Sequence, residues 1–207
     1  DKAVRPTSIM GASKRLSELI VQAYATKNES ATTYSIVRFG NVLGSSGSVI
    51  NKFNDQIDQG NYVTVTHPEV TRFFMTVQES VNLIIHASLM AKGGEIFLLD
   101  MGKPLKIIDV AKKMIELRGL KVFDNISGSG DIAIKIIGLK PGEKLYEELL
   151  IDGDAKISNN PNIFYGKDSH IEFPKLRKLI NELQSIVNEN DLMKVRKFLK
   201  DKTDLKI

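Results

Sequence analysis

The sequence predicts an α/β fold with parallel strands, and three observations support this. Apolar residues recur at helical spacing between Leu16 and Tyr24, and a β-branched and aromatic run follows at 33–40. The same alternation of helix and strand patterns continues to about residue 150. Such alternation is typical of domains in which helices connect the parallel strands of one sheet.

Each element has its own signal. Amphipathic spacing predicts the helices, with Gly60 and Gly119 ending the second and the fourth. Short β-branched runs predict the strands, and Gly-rich or Ser-rich segments at 44–47 and 125–131 predict loops. The predicted helices cover residues 9–26, 49–59, 77–90, 107–118 and 143–150, and two more amphipathic helices with a basic tail follow Pro174. The predicted strands cover residues 33–40, 62–66, 95–99 and 132–137, with an extended segment at 72–76.

Composition excludes several classes of protein. The net charge of +4 comes from dispersed residues, so no nucleic-acid partner is predicted. The absence of cysteine excludes disulfides and thiolate metal sites. His67, His86 and His170 lack metal-ligand spacing, so no metal site is predicted. No apolar run approaches the roughly 18 residues of a membrane span, and no signal-peptide pattern is present.

The Gly-rich turn of a dinucleotide-binding fold is absent from the sequence. Neither Gly-x-x-Gly-x-x-Gly nor Gly-x-Gly-x-x-Gly occurs, and the spacing of Gly44-Ser-Ser-Gly47 does not match. The chain also begins at Asp1 without an initiator Met. We therefore expect it to be the C-terminal part of a longer protein.

Motifs that follow one another along the chain carry a resemblance to a known family. They are Asp1-Lys2-Ala3-Val4-Arg5-Pro6-Thr7 with Met10-Gly-Ala-Ser-Lys14, Arg38-Phe-Gly-Asn-Val-Leu-Gly, Thr71-Arg-Phe-Phe-Met-Thr76, Gly94-Glu-Ile-Phe-Leu-Leu-Asp-Met-Gly102 and Leu139-Lys-Pro-Gly-Glu-Lys-Leu-Tyr-Glu-Glu-Leu149. Over roughly residues 1–151 the chain resembles the UDP-N-acetylglucosamine 4,6-dehydratases of bacterial polysaccharide biosynthesis, which are extended short-chain dehydrogenases.

The resemblance implies an architecture and a location. The expected fold is the C-terminal part of an extended short-chain dehydrogenase, Rossmann-like, with a small substrate-binding α/β subdomain and without the Gly-rich N-terminal half. Residues 1–151 would form the catalytic and nucleotide-sugar-binding part, and residues 152–207 a helical extension. Met10 stands where the family has Tyr, which resembles its membrane-anchored branch. The implied parent is a homo-oligomer whose preceding anchor holds this portion at the cytoplasmic side of the bacterial inner membrane.

The implied reaction is a 4,6-dehydration of a UDP-N-acetylhexosamine with NAD as cofactor. Hydride leaves C4 of the sugar for NAD, water is eliminated across C5 and C6, and the hydride returns to C6. The resemblance makes Asp1 the acid and Lys2 the base of the elimination. It places Lys14 against the nicotinamide ribose, one helical turn after Met10. Met10 cannot exchange a proton and is expected to fill the Tyr position by packing.

The resemblance also assigns binding residues. Lys14, Arg38 and Asn41 are expected at the cofactor. Those expected at the substrate are Asn41, Ser46, Arg72, Lys140 and Glu143. Arg72 would grip the diphosphate, because guanidinium offers a permanent charge and a bidentate contact. Glu143 would accept from the uridine ribose hydroxyls, and Lys140 stands where the family usually has Arg.

Two alternatives stay open. A UDP-sugar 4-epimerase shares the fold and the cofactor but needs the Tyr that Met10 replaces. A non-catalytic nucleotide-sugar-binding module would need neither the Asp1-Lys2 pair nor a cofactor half.

Overall fold

The computed structural model describes residues 2–27, 31–60, 62–150, 155–166, 168 and 170–203. In these ranges the helices are α1 (Ile9–Ala25), α2 (Val49–Asp58), α3 (Val77–Met90), α4 (Ile107–Leu117), α5 (Phe173–Asn188) and α6 (Leu192–Thr203). The strands are β1 (Ile36–Arg38), β2 (Asn41–Val42), β3 (Val63–Val65), β4 (Thr71–Arg72), β5 (Phe74–Met75), β6 (Ile96–Leu99), β7 (Leu105–Lys106), β8 (Ile134–Ile136), β9 (Lys156–Ile157) and β10 (Ile163–Gly166). None of the described helices is long and apolar enough to span a membrane.

The chain divides into two compact units, and the first comprises Asp1–Phe39, Val81–Asp100 and Glu148–Ile207. Its four-stranded sheet has the order β1-β6-β10-β9, with β1 parallel to β6 and β10 antiparallel to both of its neighbours. All four residues of β6 are buried, as expected for a central strand covered on both faces. Helices α1, α5 and α6 pack together through a separate apolar cluster that includes Leu16, Leu179 and Phe198.

The second unit comprises Gly40–Ser80 and Met101–Glu147. Its described strands form three two-stranded sheets. Strands β2 and β5 are parallel, β3 and β8 are parallel, and β4 and β7 are antiparallel. Helices α2 and α4 pack on β3 and on each other. Phe53 of α2 and Ile115 of α4 are fully buried in the shared core. Two predicted substrate-binding residues lie on short strands of this unit, Asn41 on β2 and Arg72 on β4.

The α/β prediction is confirmed. Helix α3 has the predicted bounds, and helices α1, α2 and α4 end within one residue of theirs. The predicted strand at 33–40 shortens to Ile36–Arg38, because Gly40 begins the second unit. The structure places residues 148–207 in the same unit as α1, whereas the sequence analysis set them apart from residue 152 onward. A functional boundary at residue 151 stays a prediction.

The helix predicted at 143–150 is wrong, since the structure contains none there. The carbonyl oxygens of this segment accept hydrogen bonds from other parts of the chain. The Leu145 carbonyl accepts from the Thr71 amide at 3.0 Å, and the Leu149 carbonyl accepts from the Arg38 guanidinium at 3.0 Å. In a helix, these carbonyls would accept hydrogen bonds from amides of the same helix. The irregular path leaves them available to the distant donors.

The sequence analysis missed the β9–β10 hairpin. Its turn is organised by Asn160, whose side-chain oxygen accepts from the Asn162 amide at 3.0 Å and whose carbonyl accepts from the Ile163 amide at 3.0 Å. Gly166 ends β10 where a Cβ atom would stand 2.5 Å from the Leu150 side chain. Only glycine fits at this position without a shift of Leu150.

Thr76 and Glu79 form a reciprocal capping box at the start of α3. The Thr76 amide donates to the Glu79 carboxylate at 2.8 Å, and the Glu79 amide donates to the Thr76 hydroxyl at 3.1 Å. This pattern satisfies two amides that the first helical turn would otherwise leave without acceptors. Hydrogen bonds from the Thr76 amide and hydroxyl lower the pKa of Glu79.

We expect Thr76→Ala to lower the free energy of unfolding by about 1 kcal/mol, measured by urea denaturation at neutral pH. Because the pKa of Glu79 is lower in the folded chain, its contribution is present above the unfolded value and is lost as pH falls through the folded value. The difference between variant and wild type should therefore shrink in acid. Thr76→Ser retains the hydroxyl and serves as the control. An equal loss in both variants would contradict the capping role.

Candidate functional site

The predicted catalytic residues Met10 and Lys14 lie on α1. Ser8 caps this helix, and its hydroxyl accepts from the Gly11 amide at 3.0 Å. Met10 and Lys14 are one turn apart on the exposed face, opposite the buried face that contains Ala12 and Leu16. The Met10 side chain is 55% exposed in this chain, and the expectation that it fills the Tyr position by packing stays a prediction.

Lys2 is half-buried and lies against the first turn of α1. A Cβ atom on Gly11 would stand 2.7 Å from the Lys2 carbonyl oxygen, so the close approach requires glycine. The lead-in segment is held by Val4 and Pro6, whose side chains are buried. The sequence analysis did not single out Gly11, although a glycine directly after Met10 was a signal for such an approach. The predicted acid, Asp1, lies outside the described residues.

Arg38, expected at the cofactor, lies in a buried network of charges in the first unit. Its guanidinium donates to Glu18 at 2.8 and 2.7 Å, to Asp168 at 2.6 Å and to the Leu149 carbonyl at 3.0 Å. Arg15 pairs with the same two carboxylates, at 3.0 Å from Glu18 and 3.8 Å from Asp168. The network ties α1 and β1 to the segment that precedes α5.

The charge of Arg38 is balanced inside this network. Burial works against the charged form, but the hydrogen bonds and charges of Glu18 and Asp168 outweigh it and raise the pKa of Arg38. The Arg38 side chain is 7% exposed. A cofactor contact by Arg38 stays a prediction, and these partners favour a structural role for it instead.

Asn41 and Ser46, expected at the ligands, border the loop between β2 and α2 in the second unit. Asn41 is half-buried in β2, and its backbone amide donates to the Phe73 carbonyl at 2.9 Å. Ser46 is exposed in the loop. The neighbouring Ser48 caps α2 by accepting from the Asn51 amide, which gives that hydroxyl a structural role.

Arg72 and Glu143, both expected at the substrate, are brought together in the second unit. The Arg72 Nη2 lies 3.4 Å from a Glu143 carboxylate oxygen, which also accepts from the Thr66 hydroxyl at 2.8 Å. The Arg72 Nη1 donates to the Thr71 carbonyl at 2.7 Å and contacts the Leu145 carbonyl at 3.3 Å. The guanidinium is therefore fixed on backbone carbonyls beside a carboxylate.

Lys140 and Glu143 form the turn that leads into this cluster. The Lys140 amide donates to the Glu143 carboxylate at 3.1 Å, and the Glu143 amide donates to the Lys140 carbonyl at 2.9 Å. Gly142 has a φ of +79°, which a residue with a side chain rarely adopts. Lys140 is exposed. The turn thus presents Lys140 to solvent while it orients Glu143.

The structure adds Glu147 to this cluster. Its carboxylate lies 3.7 Å from the Arg72 Nε and accepts from the Phe73 amide at 3.4 Å. The side chain of Glu147 is 6% exposed. Glu147 was not predicted, although on the helix predicted at 143–150 its position four residues after Glu143 would put both carboxylates on one face.

The predicted residues fall in both units. Lys2, Met10, Lys14 and Arg38 belong to the first, whereas Asn41, Ser46, Arg72, Lys140 and Glu143 belong to the second. Within the ranges that the structure describes, no group of three or more His, Asp or Glu side chains is placed to hold a metal ion. The absence of a metal site stays a prediction.

The chain is similar in sequence to polysaccharide biosynthesis proteins and to UDP-glucose 4-epimerases. The sequence profile of a family described as "Polysaccharide biosynthesis protein" matches residues 1–167. The chain is 45% identical over 196 residues to the capsular polysaccharide biosynthesis protein CapD of Staphylococcus aureus, covering 94% of this chain and 31% of the relative. It is 37% identical over 166 residues to UDP-glucose 4-epimerase of Rickettsia canadensis, covering 80% and 46%. The chain thus spans less than half the length of either relative.

The fold is similar to those of two solved structures. Pen from Bacillus thuringiensis is 36% identical, with a TM-score of 0.66 over 88% of this chain and 60% of that chain. MoeE5, solved in complex with UDP-glucose and NAD, is 20% identical, with a TM-score of 0.53 over 67% and 44%. The second likeness is one of fold alone.

Proposed function

Because the chain belongs to the polysaccharide biosynthesis protein family, we propose that it is part of an NAD-dependent 4,6-dehydratase of UDP-N-acetylhexosamines. The observation that carries the proposal is the pairing of Met10 with Lys14 on the exposed face of α1. The family's proton-transferring Tyr is replaced by a thioether, and Lys14 remains one turn later. A 4-epimerase needs that Tyr, whereas elimination needs the Asp1-Lys2 pair that precedes it.

The residues fit the cofactor in part. Lys14 is an exposed cation on α1 and is suited to a ribose hydroxyl. The Arg38 guanidinium is buried among carboxylates, which favours a structural role for it over a cofactor contact. Bound NAD would supply the oxidation at C4 of the sugar and the return of hydride at C6. MoeE5, which has this type of fold, was solved with UDP-glucose and NAD, and this supports the choice of cofactor.

The chain's own residues would carry the proton transfers. Lys2 takes the proton from C5 and later returns a proton to that carbon, and Asp1 gives a proton to the departing C6 hydroxyl, so that one water leaves per turnover. The proton of the C4 hydroxyl, which Met10 cannot accept, leaves through water and restores Asp1. Lys14 adds positive charge beside the C4 oxygen. In the second unit, Arg72 binds the diphosphate and Glu143 accepts from a sugar hydroxyl, as their pairing at 3.4 Å allows. The anchor, the cytoplasmic-side location and a homo-oligomeric state belong to the same proposal.

The test is product analysis with the full-length protein and UDP-N-acetylglucosamine. We expect a 4-keto-6-deoxy sugar without net accumulation of NADH, because the hydride returns to the product. A 4-epimer as the sole product would instead support the epimerase alternative, which the likeness to the Rickettsia enzyme favours. Binding without turnover would support a nucleotide-sugar-binding module.

A further inference from the structure

We propose that Glu147 is a positioning residue, which holds the Arg72 guanidinium in the orientation that receives the diphosphate. This inference rests on the proposed function, since it assumes that Arg72 binds a phosphate group. Glu147 itself would not touch the substrate. It would act through Arg72 and through the backbone at Phe73.

The donors of Arg72 are divided between fixed and available groups. Guanidinium carries five N–H donors. The two on Nη1 are directed at the Thr71 and Leu145 carbonyls, at 2.7 and 3.3 Å. The Nε edge faces Glu147 at 3.7 Å, and Nη2 lies 3.4 Å from Glu143. Nη2 carries two hydrogens and has one described contact, so an anion can be received at that corner.

Glu147 is suited to fix the opposite edge. Its side chain is 6% exposed, against 21% for Glu143. A buried carboxylate must keep its partners, because losing them leaves an uncompensated charge away from water. Glu147 contacts two successive residues of one extended segment. It lies beside the Arg72 guanidinium and also accepts a hydrogen bond from the Phe73 amide at 3.4 Å. It therefore ties the guanidinium to the backbone that carries it.

Glu143 has a different set of partners. Its two oxygens also accept from the Thr66 hydroxyl and the Lys140 amide, so a turn holds it in place independently of Arg72. A phosphate can replace Glu143 at Nη2 without leaving the Glu143 carboxylate unpaired. The two carboxylates thus have separate roles, with Glu147 as the permanent partner of Arg72 and Glu143 as the exchangeable one.

Electrostatics alone predicts the opposite effect of removing Glu147. Deleting a negative charge near a phosphate site should strengthen anion binding. If Glu147 positions Arg72, its loss weakens binding, because the guanidinium would then be held at Nη1 but not at its Nε edge, and the Nη2 corner could turn away from the productive orientation. The sign of the change therefore separates the two explanations.

The experiment compares the affinities of UDP and uridine by calorimetry, because their ratio isolates the contribution of the diphosphate. Wild type should favour UDP strongly. Glu147→Gln retains an oxygen that can accept from Phe73 but loses the charge, and we expect it to reduce the UDP-to-uridine ratio about tenfold while uridine binding is unchanged. Glu148→Gln is the matched control. It removes the next carboxylate along the chain, which pairs with Arg5 at 2.9 Å, and should leave the ratio unchanged.

A second variant guards against misfolding. Glu147→Asp retains the charge but withdraws the carboxylate by one methylene, and it should also reduce the ratio. An unchanged or increased ratio in the folded variants overturns the proposal, because Arg72 would then be oriented without Glu147. If wild type does not distinguish UDP from uridine, the proposed function itself fails, and the positioning role fails with it.

Discussion

Replacing Arg38 with methionine is expected to lower the free energy of unfolding by about 3–5 kcal/mol. The change leaves Glu18 and Asp168 buried with Arg15 as their remaining cationic partner among the described residues, and Arg15 lies 3.8 Å from Asp168. One Asp168 oxygen already lacks a hydrogen-bond partner among the described residues. Loss of the 2.6 Å contact with Arg38 would remove the main partner of the other oxygen. Methionine fills much of the volume, so the loss reports the charge rather than a cavity.

Urea denaturation of wild type and variant at one pH measures this effect. Arg5→Met is the matched control, because the Arg5–Glu148 pair has a similar distance of 2.9 Å but both side chains are about two-fifths exposed. Exposed pairs contribute about 0–1 kcal/mol, so the control should lose little. If Arg38→Met costs no more than Arg5→Met, the buried network does not stabilise the fold.

Local sequence patterns were sufficient to predict helices α1 to α4. The bounds of α3 could be predicted because Thr76 and Glu79 form a capping box and apolar residues continue to Met90. Strand β6 could be predicted because all four of its residues are apolar. These signals lie within one element, and they need no knowledge of what the element packs against.

The features that depend on distant contacts could not be predicted in this way. Arg38 pairs with Asp168, which lies 130 positions later in the chain, and no periodic pattern in the sequence indicates that contact. The segment at 143–150 contains helix-forming residues, yet its carbonyls accept from Thr71 and Arg38. Local propensity is overridden where such contacts satisfy the backbone. Glu147 likewise accepts from the Phe73 amide across 74 positions, and no local pattern indicates that contact.

Changing Lys2 to alanine in the full-length protein is expected to abolish dehydration, with a loss in turnover of at least about 100-fold. The proposed reaction needs a base at C5, and alanine cannot supply one. UDP binding should be unchanged, because the proposed contact with the diphosphate is made by Arg72. Turnover is measured as formation of the 4-keto-6-deoxy product. In deuterated water, wild type should place deuterium at C5 of that product.

The Lys2 prediction needs a control that separates loss of this amine from loss of a positive charge elsewhere in the chain. Lys52→Ala removes an exposed cation of α2 and should leave turnover unchanged. Gly11→Ala retains the amine but adds a Cβ atom that would stand 2.7 Å from the Lys2 carbonyl. If the position of Lys2 against α1 matters, this variant should also lose turnover while it still binds UDP. Normal turnover in Lys2→Ala would remove Lys2 from the mechanism, because another group must then take the C5 proton.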